Sequence, residues 1–202
     1  MSRPALAAGT RHLAKVDPHL GRLVARHGVP PMFGRRPGFA TLVHIILEQQ
    51  VSIAAARTLF LRLGQHVGGV SPESITRLGI GGLRDFGLTR QKSAYCYGLA
   101  ERVLDGRLDL AAVARGDEPQ ARHMLLDVPG IGPWTVDIYF LMALRRPDVW
   151  PRGDLALAAA LRETRGLGKL PDHEQQSKIA ARWSPWRSVA ARILWVHYLA
   201  RT

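Results

Sequence analysis

Residues 125–140, LLDVPGIGPWTVDIYF, place two prolines and two glycines inside an apolar stretch of helical character, which then resumes at once. Gly130 and Gly132 carry no Cβ, so the backbone there can take positive φ and bring its amides close to a ligand. Pro133 suits the first turn of a helix, where the N–H it lacks would be free anyway. Free amides at a helix start, reinforced by the helix dipole, make a site for a phosphate. An ordinary tight turn between two helices would use the same residues. Twenty-two residues beyond Gly132, Asp154 follows an Arg-Gly pair and precedes an apolar helical run. An aspartate in that place is a natural N-cap. Capping also fixes its direction, as a carboxylate facing developing positive charge must be fixed.

The elements that would carry these residues are helical. From Phe39, the apolar positions Leu42, Val43, Ile46 and Leu47, then Ala54, Ala55, Leu59 and Leu63, form a stripe on two successive helices around EQQVS. Ser71 and Pro72 cap and open a segment, VSPESITRLGIGGLRDFGL, that reads as short helices broken at glycines, and Thr89 caps a helix ending near Gly106. Further helices are expected over 118–127, 133–145, 154–165, 173–182 and 185–200. No run of alternating β-branched residues predicts a strand. The fold class is therefore all-α, with Gly/Pro turns and no solenoid repeat.

Composition restricts the partners. The 202 residues include 28 Lys and Arg against 16 Asp and Glu, a formal charge of +12, which favours a polyanion such as nucleic acid or an acidic membrane. Only Lys15, Lys92, Lys169 and Lys178 are lysines; the arginine surplus suits bidentate phosphate recognition and equally reflects a G+C-rich coding preference. The single cysteine, Cys96, excludes an intrachain disulfide framework and a cluster held by four cysteines of this chain, and is expected to be a buried small hydrophobe. The eight histidines show no metal-binding spacing, and neither GIGGLR nor TRGLGKL completes a nucleotide-binding motif. With no apolar run of spanning or signal-peptide quality, a soluble cytoplasmic protein without membrane contact is expected, and a DNA-acting role would make it a nucleoid-associated monomer.

Five blocks taken in order, LEQQVSIAAA, GLTRQKSAY, LDVPGIGPWTVDIYFLMAL, DVWPRGDLAL and RWSPWRSVAARILW, resemble the helix–hairpin–helix (HhH-GPD) DNA glycosylases. Within them the likeness is to the alkylbase branch, the 3-methyladenine DNA glycosylase II type. It runs from about residue 35 to the C-terminus. The resemblance implies a two-lobed helical fold enclosing a basic cleft, with one glycosylase domain over 1–202, lobes of about 35–115 and of 1–34 plus 116–202, and no additional N-terminal domain.

The resemblance also implies roles. Asp154 occupies the place of the family's catalytic aspartate, which stabilises the oxocarbenium character of the sugar. Trp134 and Trp195 fall where the base pocket is lined; electron-rich indoles stack well on purines made cationic by alkylation. For Trp195 a core position fits equally, and Trp150, Trp183 and Trp186 are expected in the core or between lobes. Gln50 matches the wedge that fills the gap left by a flipped base, with Gln49 supporting its loop. Gly130, Gly132 and Thr135 of the hairpin, with Lys92 and the amides after Thr89, are the expected DNA contacts. The carbonyls of Leu126, Val128 and Ile131 correspond to those that bind a structural Na or K ion. Bifunctional members carry a Schiff-base lysine where this chain has Trp134, so base removal without AP-lyase strand cleavage is implied, with no iron–sulfur cluster. Ile138 replaces a tyrosine typical of the pocket, which makes the pocket more aliphatic.

The expectation is a monofunctional glycosylase that excises alkylated purines of the 3-methyladenine and 7-methylguanine type from double-stranded DNA in base excision repair. A glycosylase for deaminated or oxidised bases, a non-catalytic DNA-binding adaptor and an arginine-rich interaction scaffold are the alternatives.

Overall fold

The structure is a computed structural model and describes residues 1–201. Among the described residues there are twelve α-helices and no strand. The chain divides into two compact units, Met1–Arg35 with Phe140–Thr202, and Arg36–Tyr139.

The first unit is built on α12 (Arg187–Leu199), which buries residues on every side, including Val189, Ala190, Ile193, Leu194 and Trp195. A helix apolar all round belongs at the centre of a bundle. Around it pack α1 (Arg3–Val16), α2 (Pro18–His27), α10 (Leu155–Arg165) and α11 (His173–Ala181). Gly9 is what lets α1 approach: a Cβ there would lie 2.8 Å from the Trp186 ring. Asp17 ends α1 and caps α2 through the amides of His19 and Leu20, at 2.9 and 3.3 Å. Its other oxygen accepts the Trp183 indole N–H at 2.8 Å and pairs with Arg165. Burial opposes the Asp17 charge, but the indole, the guanidinium and the two amides outweigh it and hold the carboxyl below its ordinary pKa. Trp150 and Trp183 are buried with ring centroids 5.5 Å apart, so both tryptophans are core residues, as expected.

The second unit contains α3 (Phe39–Glu48), α4 (Ile53–Val67), α5 (Pro72–Asp85), α6 (Arg90–Leu104), α7 (Leu110–Arg115), α8 (Glu118–Leu126) and the start of α9 (Pro133–Met142). α6 packs on both α5 and α3, and Cys96, fully buried on α6, has its thiol pushed up to about 12 by burial. The Ser71 cap is a full capping box completed by Ser74, and the glycine break expected in α5 falls at Gly79, with φ 70°. Tyr139 is fully buried, and its hydroxyl accepts the Gly38 amide at 2.9 Å where α3 begins. No helix among the described residues is long and apolar enough to cross a membrane.

Candidate active site

In the second unit the hairpin is assembled from α8, the turn Pro129 to Gly132, and α9. Ile131 N–H closes the turn on the Val128 carbonyl at 3.0 Å, and the Gly132 carbonyl accepts the first helical bond of α9, from Val136 N–H at 3.1 Å. The two glycines have different reasons. Gly130 stands at φ 88° with the Tyr95 ring directly behind it, so a Cβ would overlap that ring. A Cβ on Gly132 would meet nothing within 4 Å. The first glycine is required by the fold, whereas the second keeps open the space in front of the helix start.

That space belongs to a groove of about 1020 Å³ lined by Gln49 to Val51, Thr89 to Lys92, Tyr95 and Leu126 to Gly132. One edge of the groove is the loop between α3 and α4. Gln50 is exposed there at φ 57°, a left-handed conformation that is costly for a residue with a side chain. The loop is held from inside. Gln49 Nε2 donates to the Gly130 carbonyl at 2.9 Å and to Thr135 Oγ1 at 3.0 Å, joining the loop to the hairpin. Lys92 Nζ donates to the carbonyls of Leu47 and Gln49 at 2.7 and 2.8 Å, capping the negative end of α3.

Two of the residues expected to contact DNA have hydrogen-bond partners within the protein. Lys92 turns inward to helix carbonyls, with burial lowering the pKa of its ammonium, because the C-terminus of α3 offers acceptors that a solvated phosphate site would not. Thr135 is buried and braces Gln49 instead of facing the groove. Gln49 supports the loop as expected. The Thr89 hydroxyl caps α6 by accepting Lys92 N–H at 3.2 Å. Val128 and Ile131 are buried, Leu126 is exposed, and all three line the groove that their carbonyls would serve. Trp134 is half-buried in the first turn of α9, while Ile138 is buried four residues on.

In the first unit, Asp154 is the N-cap of α10 and is only 7% exposed. Its Oδ1 accepts Leu157 N–H at 2.9 Å and lies 3.4 Å from the Trp195 indole nitrogen. The bond to Leu157 thus fixes the carboxylate, and the Trp195 indole N–H is directed at the same oxygen. Trp195 is 8% exposed, with the Phe33 ring set edge-on at 6.2 Å between centroids and an interplanar angle of 84°. Phe33 had no signal in the sequence, since its neighbours PPMFGRRPG give no periodicity. Arg192, fully buried on α12 and held down to about 10 by burial and by the Arg145 charge, was likewise hidden within a helical apolar pattern.

The chain matches the family described as HhH-GPD superfamily base excision DNA repair protein over residues 43–185. It belongs to that superfamily. Among HhH-GPD relatives, a DNA-3-methyladenine glycosylase of Bacillus subtilis is 28% identical over 202 residues, covering 91% of this chain and 64% of the relative. DNA-3-methyladenine glycosylase 2 of Escherichia coli is 31% identical over 196 residues, covering 89% of this chain and again 64% of the relative. The chain thus spans just under two thirds of these relatives. The solved 3-methyladenine DNA glycosylase of Schizosaccharomyces pombe, in complex with abasic DNA, superposes with a TM-score of 0.86 at 26% identity. That superposition covers 93% of this chain and 95% of the other. The all-helical HhH-GPD fold expected from the sequence is therefore the fold of this protein.

Proposed function

We propose that this protein is a monofunctional DNA glycosylase that flips alkylated purines out of double-stranded DNA and hydrolyses their N-glycosidic bond, leaving an abasic site. The observation that carries the reading is the Asp154 carboxylate, capped, nearly buried and beside the Trp195 indole, in a member of a base excision repair superfamily whose near relatives bear the name 3-methyladenine glycosylase.

The chemistry follows from that carboxylate. The bond between C1′ and the purine nitrogen breaks with its electron pair leaving on the base; a purine already cationic from methylation departs neutral and needs no proton. Positive charge then develops on C1′ and the ring oxygen, where Asp154 stabilises it. Water adds to C1′ and gives up a proton, restoring charge balance. The groove of the second unit receives the DNA backbone at the amides of the hairpin, and Gln50 fills the gap in the stack. A Na or K ion on the carbonyls of Leu126, Val128 and Ile131 would add positive charge to the same phosphate site; carbonyl oxygens are the donors such a hard cation takes.

Two features support hydrolysis without strand cleavage. Trp134 stands at the start of α9 where a lyase needs an amine, and the Lys92 amine is engaged with carbonyls. The test is release of free methylated purines from alkylated duplex DNA by the wild type and by Asp154→Asn, with strand breaks scored before and after alkali. Base release by the wild type, with breaks only after alkali, supports the reading. Breaks without alkali would overturn the monofunctional part, and tight DNA binding without release of any methylated purine would overturn the substrate assignment.

A further inference from the structure

The helices α1 and α2 carry charge that the scheme above does not use. Asp17 is the only acid in residues 1–47, and it is buried, capping α2 and engaged with Trp183 and Arg165. Against it stand Arg11 and Lys15 on α1 and Arg22 and Arg26 on α2, all four exposed. Among the described residues, none of the four pairs with a carboxylate. In the second unit, by contrast, Arg102 has Asp127, Arg107 has Asp105, and Arg122 has both Glu118 and Asp137. A coding preference for arginine adds cations but does not remove the acids that would neutralise them.

The placement is systematic. Leu6, Gly9, Thr10 and Leu13 form the buried side of α1, and Arg11 and Lys15, one turn apart, lie on the opposite side. Leu20 and Leu23 are buried on α2, with Arg22 and Arg26 one turn apart on its exposed side. The two helices meet backbone to backbone: a Cβ on Gly21 would lie 2.7 Å from the Ala14 carbonyl oxygen, and Lys15 and Arg22 are the residues that follow these two. Arg22 meets the His19 Nδ1 at 2.9 Å, which leaves its charge unneutralised. Like charges one turn apart destabilise a helix. The helix dipole offsets this for Lys15 and Arg26, which stand in last turns, but not for Arg11 and Arg22. Neither helix contains Phe, Tyr or Trp, so the surface has nothing to stack on a base or to anchor in lipid. It presents cationic donors for the oxygens of a polyanion.

We infer that the exposed face of α1 and α2 is a second DNA-contact surface, on which Arg11, Lys15, Arg22 and Arg26 bind backbone phosphates of undamaged double-stranded DNA without reading sequence or lesion. The inference goes beyond the proposed base excision and rests on that reading only for the choice of DNA among polyanions.

The experiment measures affinity for undamaged duplex DNA between about 50 and 200 mM salt, where each phosphate contact adds about 0.9 to the slope of log K against log salt. Wild type is compared with Arg11→Gln/Lys15→Gln/Arg22→Gln/Arg26→Gln. A charge-matched control, Lys169→Gln/Lys178→Gln/Arg182→Gln/Arg201→Gln, alters exposed residues of the same unit. The first variant is expected to bind about tenfold more weakly or worse at about 0.1 M salt, with a slope shallower by about 3.6, and the control to stay within about one of the wild-type slope. Equal shifts in the two variants would overturn the surface, because net charge alone would then account for binding, and so would a wild-type slope in the first variant. An unchanged DNA slope with lost binding to anionic phospholipid vesicles would overturn the choice of DNA. The pairs Arg11→Gln/Lys15→Gln and Arg22→Gln/Arg26→Gln, each expected to show about half the slope change, carry the same test should the fourfold variant not fold. Failure of the wild type to release methylated purines from alkylated duplex DNA, with the slope difference intact, would count against the glycosylase reading and not against this surface.

Discussion

Asp154→Asn separates the two roles that meet in one side chain. Asparagine is as good an N-cap as aspartate, and its amide oxygen can keep both the Leu157 N–H and the Trp195 indole as donors. The substitution therefore leaves α10 capped and changes the charge alone. Two unit charges about 4 Å apart, in an effective dielectric of about 20, interact by roughly 4 kcal/mol. Each 1.36 kcal/mol is about a factor of ten in rate, so the loss corresponds to roughly a thousandfold. Single-turnover release of 7-methylguanine from duplex DNA should fall by about that amount, with DNA affinity and Tm close to wild type. Asp154→Ala should lose a similar factor in rate and also about 1 kcal/mol of stability, because α10 then loses its cap. A wild-type rate in Asp154→Asn would refute the electrostatic role and leave Asp154 a helix cap only. A large loss of stability would show that capping had been misjudged.

Other perturbations address the positioning of the groove. Gln50→Gly relieves the left-handed strain at φ 57° while raising the entropy of the unfolded chain, so stability should move by less than about 1 kcal/mol. Excision from duplex DNA should nevertheless fall about tenfold, and undiminished excision would remove Gln50 from the wedge role. Gly130→Ala combines a positive φ with overlap on Tyr95 and should cost about 3 kcal/mol in urea unfolding, whereas Gly132→Ala should be nearly neutral in stability and weaken DNA binding. Equal effects at the two glycines would contradict the division of labour drawn between them. The Asp17 carboxyl is held below its ordinary value of 3.8, because its indole, guanidinium and amide partners outweigh burial. Its contribution to stability is thus complete above that value and lost as pH falls through the lowered native pKa. Acid unfolding followed by circular dichroism should lose that contribution in Asp17→Asn, and identical acid limbs would refute the assignment.

The sequence carried local information well. Ser71, Thr89 and Asp154 cap the helices they were expected to cap, since an N-cap is settled by four adjacent residues. The hairpin was legible for the same reason, its turn being fixed by Gly130 and Pro133. The helices α1 and α2 were not foreseen. Glycine at position 9 weakens local helix propensity, and the Trp186 ring that requires it lies far along the chain. The partners of Lys92 were not legible, because a flexible ammonium goes to the nearest acceptors, and the carbonyls of Leu47 and Gln49 lie more than forty residues away in sequence. The partner of Thr135 was hidden in the same way, since Gln49, which donates to its hydroxyl, comes from another helix end. Phe33 is the extreme case, a conformation imposed by Arg192 from about 160 residues further on.

The distribution of charge completes the division between reach and grip. The unit bearing Asp154 holds seventeen Lys and Arg against six Asp and Glu, whereas the unit bearing the hairpin holds eleven against ten. Nearly all of the +12 therefore belongs to the unit that does not carry the hairpin. Net charge acts at a distance and is screened over about 10 Å at 0.1 M salt, while amides at a helix start act only at contact. On the proposed function, the charged unit would supply long-range attraction to DNA, and the nearly neutral unit would supply register. Raising salt should consequently slow association with DNA steeply and leave the rate of base release from bound DNA almost unchanged, because Asp154 is buried and screened little by ions. On that reading the sequence-independent attraction and the lesion-dependent chemistry would be separable within one chain, since they would arise from different charges in different surroundings.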